Sequence, residues 1–176
     1  MGKALIFCGI KHCGKSTLGK ALAALLKVPF KDTDELLEEK YQCSCRELFK
    51  REGEEKFRRL ESELLISLPP GEEMQIISLG GGALLKSENL PVLQNLGKII
   101  WVDVDDITAF ERISRNGLPP FLAEAPDPFA EFKMRNAQRR AIFEKAASLR
   151  FEAPGCNAPR ENAAKLKELL IEKGMI

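Results

Sequence analysis

Gly9-Ile10-Lys11-His12-Cys13-Gly14-Lys15-Ser16-Thr17 fits the spacing G-x-x-x-x-G-K-[ST]. Glycines let such a backbone curl until its N–H groups face inward at phosphate oxygens. Lys15 is placed to reach the β- and γ-phosphates of a nucleotide, and the Ser16 hydroxyl to bind Mg²⁺. Thr17 supports the start of the helix that must follow, whose positive end points at the same anion. His12 and Cys13 occupy free positions of the pattern. They read either as loop filling or, for His12, as a neighbour of the phosphates that senses pH or ligand.

A phosphate loop specifies a nucleotide but not a reaction, so the second substrate must be sought elsewhere. Asp32 and Asp34 are two apart and share one side if the chain stays extended. One then assists Mg²⁺ through water, and the other accepts hydrogen bonds from a substrate hydroxyl. The alternative is an acidic cap on the next helix, which Asp34-Glu35 also suits. Gly80-Gly81-Gly82 permits close backbone approach, with N–H groups free for an anion, or forms a flexible strand-to-helix turn. Arg58 and Glu61 are three apart on a helical stretch, so Glu61 is placed to orient the guanidinium. A guanidinium fixed in this way grips a carboxylate with two hydrogen bonds. The competing reading is an ordinary surface ion pair.

Alternating strands and helices must position these groups. The apolar run Ala4 to Cys8 predicts a buried parallel strand. Leu18, Ala21, Leu22 and Leu25 carry a helical period over Ser16 to Leu26. A strand is expected over Val28 to Phe30, then helix to about Leu68 with a break near Gly53. Further strands are expected over Met74 to Leu79, Lys98 to Val104 and Ser148 to Ala153. Helices are expected over Ser87 to Leu96, Thr108 to Arg115, Phe129 to Ala147 and Glu161 to Lys173. Gly117 to Pro128 holds Pro119, Pro120, Pro126 and Pro128, and is the candidate mobile loop. The alternation predicts an α/β fold with a parallel sheet. No repeat or linker divides residues 1–176, which form one expected domain.

Composition bounds the function. The chain has 176 residues, 44% hydrophobic and 30% charged, an ordinary globular balance. Lys and Arg number 27 against 26 Asp and Glu, a net charge of +1. A general polyanion binder would carry a large basic excess, so nucleic acid is not expected as the main partner. A small anion needs only a few placed cations. No apolar run reaches membrane-spanning length, and the N-terminal stretch lacks the pattern of a signal peptide. Ile6 stands where a myristoylation signal needs Ser or Thr. The five cysteines have no paired metal spacing, and His12 is the single histidine. Reduced thiols in a cytoplasmic protein are the expectation.

Taken together, the segments resemble the shikimate kinase family, small enzymes shaped like nucleoside-monophosphate kinases. The matching stretches are GIKHCGKST, Asp32-Thr33-Asp34, ELFKREGEEKFRRLE at Glu47 to Glu61, ISLGGGALL at Ile77 to Leu85, and RRAIFEKAA at Arg139 to Ala147. They stand in the family's order across nearly the whole chain. The resemblance implies a three-layer P-loop kinase fold with a mostly five-stranded parallel sheet. It implies a substrate-binding helical region at about 33–61 and a mobile lid at about 113–128. The implied reaction moves the γ-phosphoryl of ATP to the 3-hydroxyl of shikimate, a step towards aromatic amino acids, with Mg²⁺ and as a monomer. The implied nucleotide site comprises Gly9, His12, Cys13, Gly14, Lys15, Ser16 and Thr17, with Arg112, Asn157 and Pro159 around adenine. Lys15 would also stabilise the transferring group. Ser16 and Asp32 would hold Mg²⁺, helped by Ser78. Asp34 would bind shikimate hydroxyls and act as base. Arg58 and Arg139 would clamp the carboxylate, supported by the backbone of Gly80, Gly81 and Gly82.

The chain departs from the family pattern in the lid, where R-P-L-L is usual. Here Leu118-Pro119-Pro120-Phe121-Leu122 puts Pro119 at the position of the arginine. Such an arginine contributes orders of magnitude in rate. Arg115 reaching in from a shifted lid is the first candidate to replace it. Lys11 or Arg140 is the second, and a slow or altered enzyme the third. His12 stands where the family commonly has Gly, and Phe143 where it commonly has Tyr. Two other functions fit the same motifs. One is a gluconate-type or other small-metabolite kinase; the other is a non-catalytic nucleotide-binding module.

Overall fold

A computed structural model describes residues 3–115, 117–154 and 158–176. Five strands are present: β1 (Ala4–Cys8), β2 (Phe30–Asp32), β3 (Gln75–Ser78), β4 (Gly97–Asp103) and β5 (Leu149–Glu152). Eight α-helices accompany them among the described residues: α1 (Lys15–Leu26), α2 (Thr33–Tyr41), α3 (Cys45–Ser67), α4 (Asn89–Leu96), α5 (Asp106–Arg115), α6 (Pro120–Ala123), α7 (Pro128–Ala146) and α8 (Pro159–Glu172). The strands pair in the order β2-β3-β1-β4-β5, all parallel. β1 therefore lies between β3 and β4, where the winding of the chain reverses. Open parallel sheets bind ligands beyond the strand C-termini at such a point. The loops after β1 and β3 both open there.

Local chemistry sets the helix boundaries. Asp32 caps α2 by accepting from Asp34 N at 2.9 Å. Ser44 and Glu47 form a reciprocal capping box at the start of α3. Gly53 breaks α3 with φ 79° and ψ 166°, as its position in the sequence predicts. Asp127 caps α7, and Pro128 opens it where a missing N–H costs nothing.

Two differences from expectation have physical reasons. β2 begins at Phe30 rather than Val28, because Pro29 offers only its carbonyl, which accepts from Ile76 N at 2.9 Å. The proline-rich loop contains the short helix α6, whose Leu122 N donates to Pro119 O at 2.9 Å. Proline is compatible with a first helical turn, so proline density alone hid this element. Leu122 is fully buried in the main core.

That core joins β1, β3 and β4 to the helices, with Leu5, Ile6, Phe7, Leu22, Ile76 and Leu93 fully buried. A second, smaller apolar cluster lies between α2 and α3: Leu37, Leu48, Phe57, Leu60 and Leu64. No helix among the described residues is long and apolar enough to cross a membrane.

Gly97 pairs with Ala4 across the two central strands. A Cβ at Gly97 would overlap the carbonyl of Ala4. Backbone in a central ladder does not swing aside as a side chain would. Gly97→Ala is expected to destabilise the fold by about 3 kcal/mol. In urea the midpoint should fall while the slope stays constant.

Candidate active site

The phosphate loop joins β1 to α1. His12 adopts φ 64° and Gly14 φ 93°. Histidine tolerates the left-handed region better than most residues, so the family's usual glycine is replaced here at modest cost. Lys15 is buried, and its Nζ donates to the carbonyls of Gly9 at 3.1 Å and Ile10 at 3.0 Å. Beside the loop lies a cavity of about 440 Å³, lined by His12 to Leu18 and by Arg112, Ala153, Pro154, Pro159 and Asn162. Arg112 Nη1 donates to His12 O at 3.2 Å, tying α5 to the loop. Arg112 and Pro159 thus line the same cavity as the phosphate loop. Asn157 lies outside the described residues. Burial, then the charges of Lys11, Lys15 and Arg112, lower the His12 pKa from its ordinary value and favour the neutral ring.

The Ser16 hydroxyl donates to Asp32 Oδ2 at 2.6 Å and lies 3.2 Å from Ser78 Oγ. Among the described residues no trio of His, Cys, Asp and Glu gathers as a metal cage. Mg²⁺ rarely uses such a cage. It takes one or two carboxylate or hydroxyl oxygens, completing its shell with water and phosphate. The all-oxygen group of Ser16, Asp32 and Ser78 fits that chemistry.

Asp34 sits in the first turn of α2, so the chain does not remain extended between the two aspartates. Asp32 both holds the Ser16 hydroxyl and supplies the acidic cap of α2, which the sequence suggested for Asp34-Glu35. Asp34 reaches the glycine turn by another route. A Cβ on Gly80 would stand 2.5 Å from Asp34 Oδ1 and 2.9 Å from Glu61 Oε1. Gly80 N donates to Thr33 Oγ1 at 2.8 Å, which pins the turn to the start of α2. Thr33 escaped the sequence reading, which gave roles only to the aspartates on either side of it.

Arg58 Nη1 donates to Glu61 Oε2 at 2.5 Å. Their side chains are 17% and 6% exposed, so this is not a surface ion pair. The guanidinium lies over Gly82, where a Cβ would overlap it. Arg58 Nε is buried without a partner among the described residues. Burial first, then the charge of Arg58, lowers the Arg139 pKa. Burial also raises the Asp34 pKa, reinforced by Asp32 and opposed by Lys15 and Lys11. Glu61 is raised mainly by burial, with Arg58 opposing.

Two residues expected as spare cations stand elsewhere. The Arg115 side chain is 77% exposed and pairs with Glu111 at 3.8 Å. Arg140 donates to Asp103 Oδ1 at 3.2 Å, Asp106 Oδ1 at 2.8 Å and Val104 O at 2.6 Å, fastening α7 to the end of β4. Cys13 is buried beside Lys15, and burial pushes the Cys8 thiol up to about 12, which leaves it unreactive. Cys8, Cys13, Cys43 and Cys45 are all free thiols.

The parallel sheet with its phosphate loop after the C-terminal end of β1 defines a P-loop kinase fold. The family model described as shikimate kinase matches residues 11–170. This chain belongs to the shikimate kinase family. It is 34% identical over 172 residues to a shikimate kinase of Symbiobacterium thermophilum, covering 97% of each chain. It is 39% identical over 125 residues to one of Chlamydia pneumoniae, covering 69% of this chain and 70% of that one. A crystal structure of shikimate kinase from Bacteroides thetaiotaomicron superposes with a TM-score of 0.82 at 28% identity, covering 96% of this chain and 98% of that one. The shikimate kinase of Acinetobacter baumannii, solved in complex with shikimate, gives 0.84 at 25% identity, covering 97% and 93%.

Proposed function

We propose that this protein transfers the γ-phosphoryl of ATP to the 3-hydroxyl of shikimate. One observation carries the reading beyond the family match. Asp34 and the Arg58–Glu61 pair converge on the Gly80 to Gly82 turn, one strand away from the phosphate loop. A hydroxyl acceptor and a carboxylate grip are thereby placed beside a nucleotide site.

In this reading the loop N–H groups and Lys15 hold the phosphates, and Lys15 exchanges a loop carbonyl for a phosphate oxygen. Ser16 and Asp32 hold Mg²⁺, with Ser78 assisting. Bound there, Mg²⁺ neutralises phosphate charge during transfer. Asp34 orients the acceptor hydroxyl and takes its proton. Arg58 and Arg139 hold the acceptor carboxylate, and Glu61 fixes Arg58. Arg112 and Pro159 enclose adenine. The Gly117 to Pro128 segment closes as a lid that keeps water from the transferring group. The single domain works as a monomer in the cytoplasm.

The testing experiment is a coupled ATP assay with shikimate, gluconate and nucleoside monophosphates as separate acceptors. Turnover with shikimate alone is expected. ATP binding with no shikimate turnover would reject the reading, and turnover of gluconate would reassign the acceptor.

The Asp34 shift adds a pH dependence. A base works deprotonated, so activity falls as pH drops through its pKa. Burial raises that pKa, which moves the acid limb of kcat/KM above the ordinary aspartate value of about 3.9. A profile flat down to pH 4 would remove Asp34 from the role of base.

A further inference from the structure

Lys11 stands at the tip of the phosphate loop, exposed to solvent, with no hydrogen bond or ion pair to any described residue. Its backbone N lies 3.6 Å from where a Cβ on Gly81 would stand. The loop tip therefore abuts the middle of the glycine turn, whose preceding residue is flanked by Asp34 and Glu61. Lys11 occupies the seam between the nucleotide side and the acceptor side. Its charge acts on both, opposing the rise at Asp34 and adding to the depression at His12.

The other cations nearby have their own places. Lys15 is buried against the loop carbonyls, Arg112 is bonded to the His12 carbonyl, and Arg58 is paired with Glu61. Arg140 is held at the end of β4 and Arg115 points into solvent beside Glu111. An ammonium on a four-carbon stem is a mobile point charge, able to swing towards an anion that forms beside it.

We infer that Lys11 is a catalytic residue whose ammonium contacts the phosphoryl group in flight between ATP and the acceptor. The inference rests on the kinase reading above. In the transfer step the acceptor O–H bond breaks and its proton passes to the Asp34 carboxylate. The acceptor oxygen bonds to the γ-phosphorus. The bond from that phosphorus to the β–γ bridging oxygen breaks, and its electron pair leaves with ADP. Lys11 keeps its proton throughout and offsets the charge spread over the equatorial oxygens. Charge placed where it develops acts on kcat rather than on ground-state binding.

The test compares wild type, Lys11→Ala and Lys11→Arg. Lys11→Ala is expected to lower kcat by roughly a hundredfold, with KM for shikimate and Kd for ATP within about threefold. Lys11→Arg should recover most of the loss. A kcat within about twofold of wild type in Lys11→Ala, or a loss carried by ATP affinity, overturns the inference. So does a large kcat loss in Arg115→Ala while Lys11→Ala stays active. A second measurement needs no acceptor: binding of ADP with Mg²⁺, with and without aluminium fluoride, which mimics the phosphoryl group in flight. Lys11→Ala should weaken the fluoride complex at least about thirtyfold and ADP alone by less than about threefold. Equal weakening of both overturns the inference. Because this arm is independent of shikimate, a wrong acceptor and an idle Lys11 give different results.

Discussion

Asp34→Asn is expected to lower kcat about a thousandfold, within the range that a positioned base contributes. ATP affinity should stay within about threefold, because Asp34 faces the glycine turn while Lys15 and Ser16 belong to the phosphate loop and its helix. The same substitution should raise thermal stability at pH 7. A carboxylate whose folded pKa is raised above its unfolded value favours the fold while protonated. That contribution is lost as pH rises through the folded pKa. At neutral pH the ionised Asp34 is thus a burden on the fold, which Asn lacks. Titrating stability against pH should show the gap between wild type and Asp34→Asn narrowing towards acid. Loss of ATP binding in this variant, or a fall in Tm, would mean Asp34 works on the nucleotide or holds the structure.

Gly82→Ala should attack the acceptor site with little cost to folding. The added methyl would overlap the Arg58 guanidinium, the far end of a flexible side chain, so the arginine yields rather than the backbone. Arg58 then loses its hydrogen bond to Glu61 and its aim. A charge-assisted hydrogen bond is worth about 2 kcal/mol, or a thirtyfold rise in KM for shikimate. Changes in kcat should be smaller. The decisive measurement is a double-mutant cycle with Arg58→Ala. If Gly82 acts through Arg58, Gly82→Ala adds almost nothing in the Arg58→Ala background. Full additivity would show that the turn contributes on its own.

The fold was largely legible because its signals are local. The run Ala4 to Cys8 became β1, and Gly53 broke α3 where it was expected. The phosphate loop was legible for the same reason, since contiguous residues build it. The strand order was not, since nothing in β2 itself says that it pairs with β3 rather than β1. The acceptor side was only half legible. Asp34, Arg58 and Gly80 could be named singly, but residues far apart in sequence meet there through tertiary packing. The Thr33 bond to Gly80 is the hinge of that meeting, and a threonine between two aspartates carries no distinctive pattern. Burial was illegible too. Arg58 and Glu61 have the spacing of any exposed helical pair, and the sequence does not show that the Gly80 to Gly82 turn lies against both. The ion pairs of Arg115 and Arg140 were illegible for a similar reason, because a sequence counts charges without showing their partners.

That second cluster has an evolutionary consequence. Leu37, Leu48, Phe57, Leu60 and Leu64 pack among themselves, apart from the core that carries the phosphate loop. Substitutions there are expected to shift Asp34 and Arg58 while Lys15, Ser16 and the nucleotide cavity keep their support. Choice of acceptor and handling of ATP are therefore separable under mutation. A lineage descending from such a chain is free to change its clientele by rewriting the apolar seam between α2 and α3, provided Asp32 keeps its bond to Ser16.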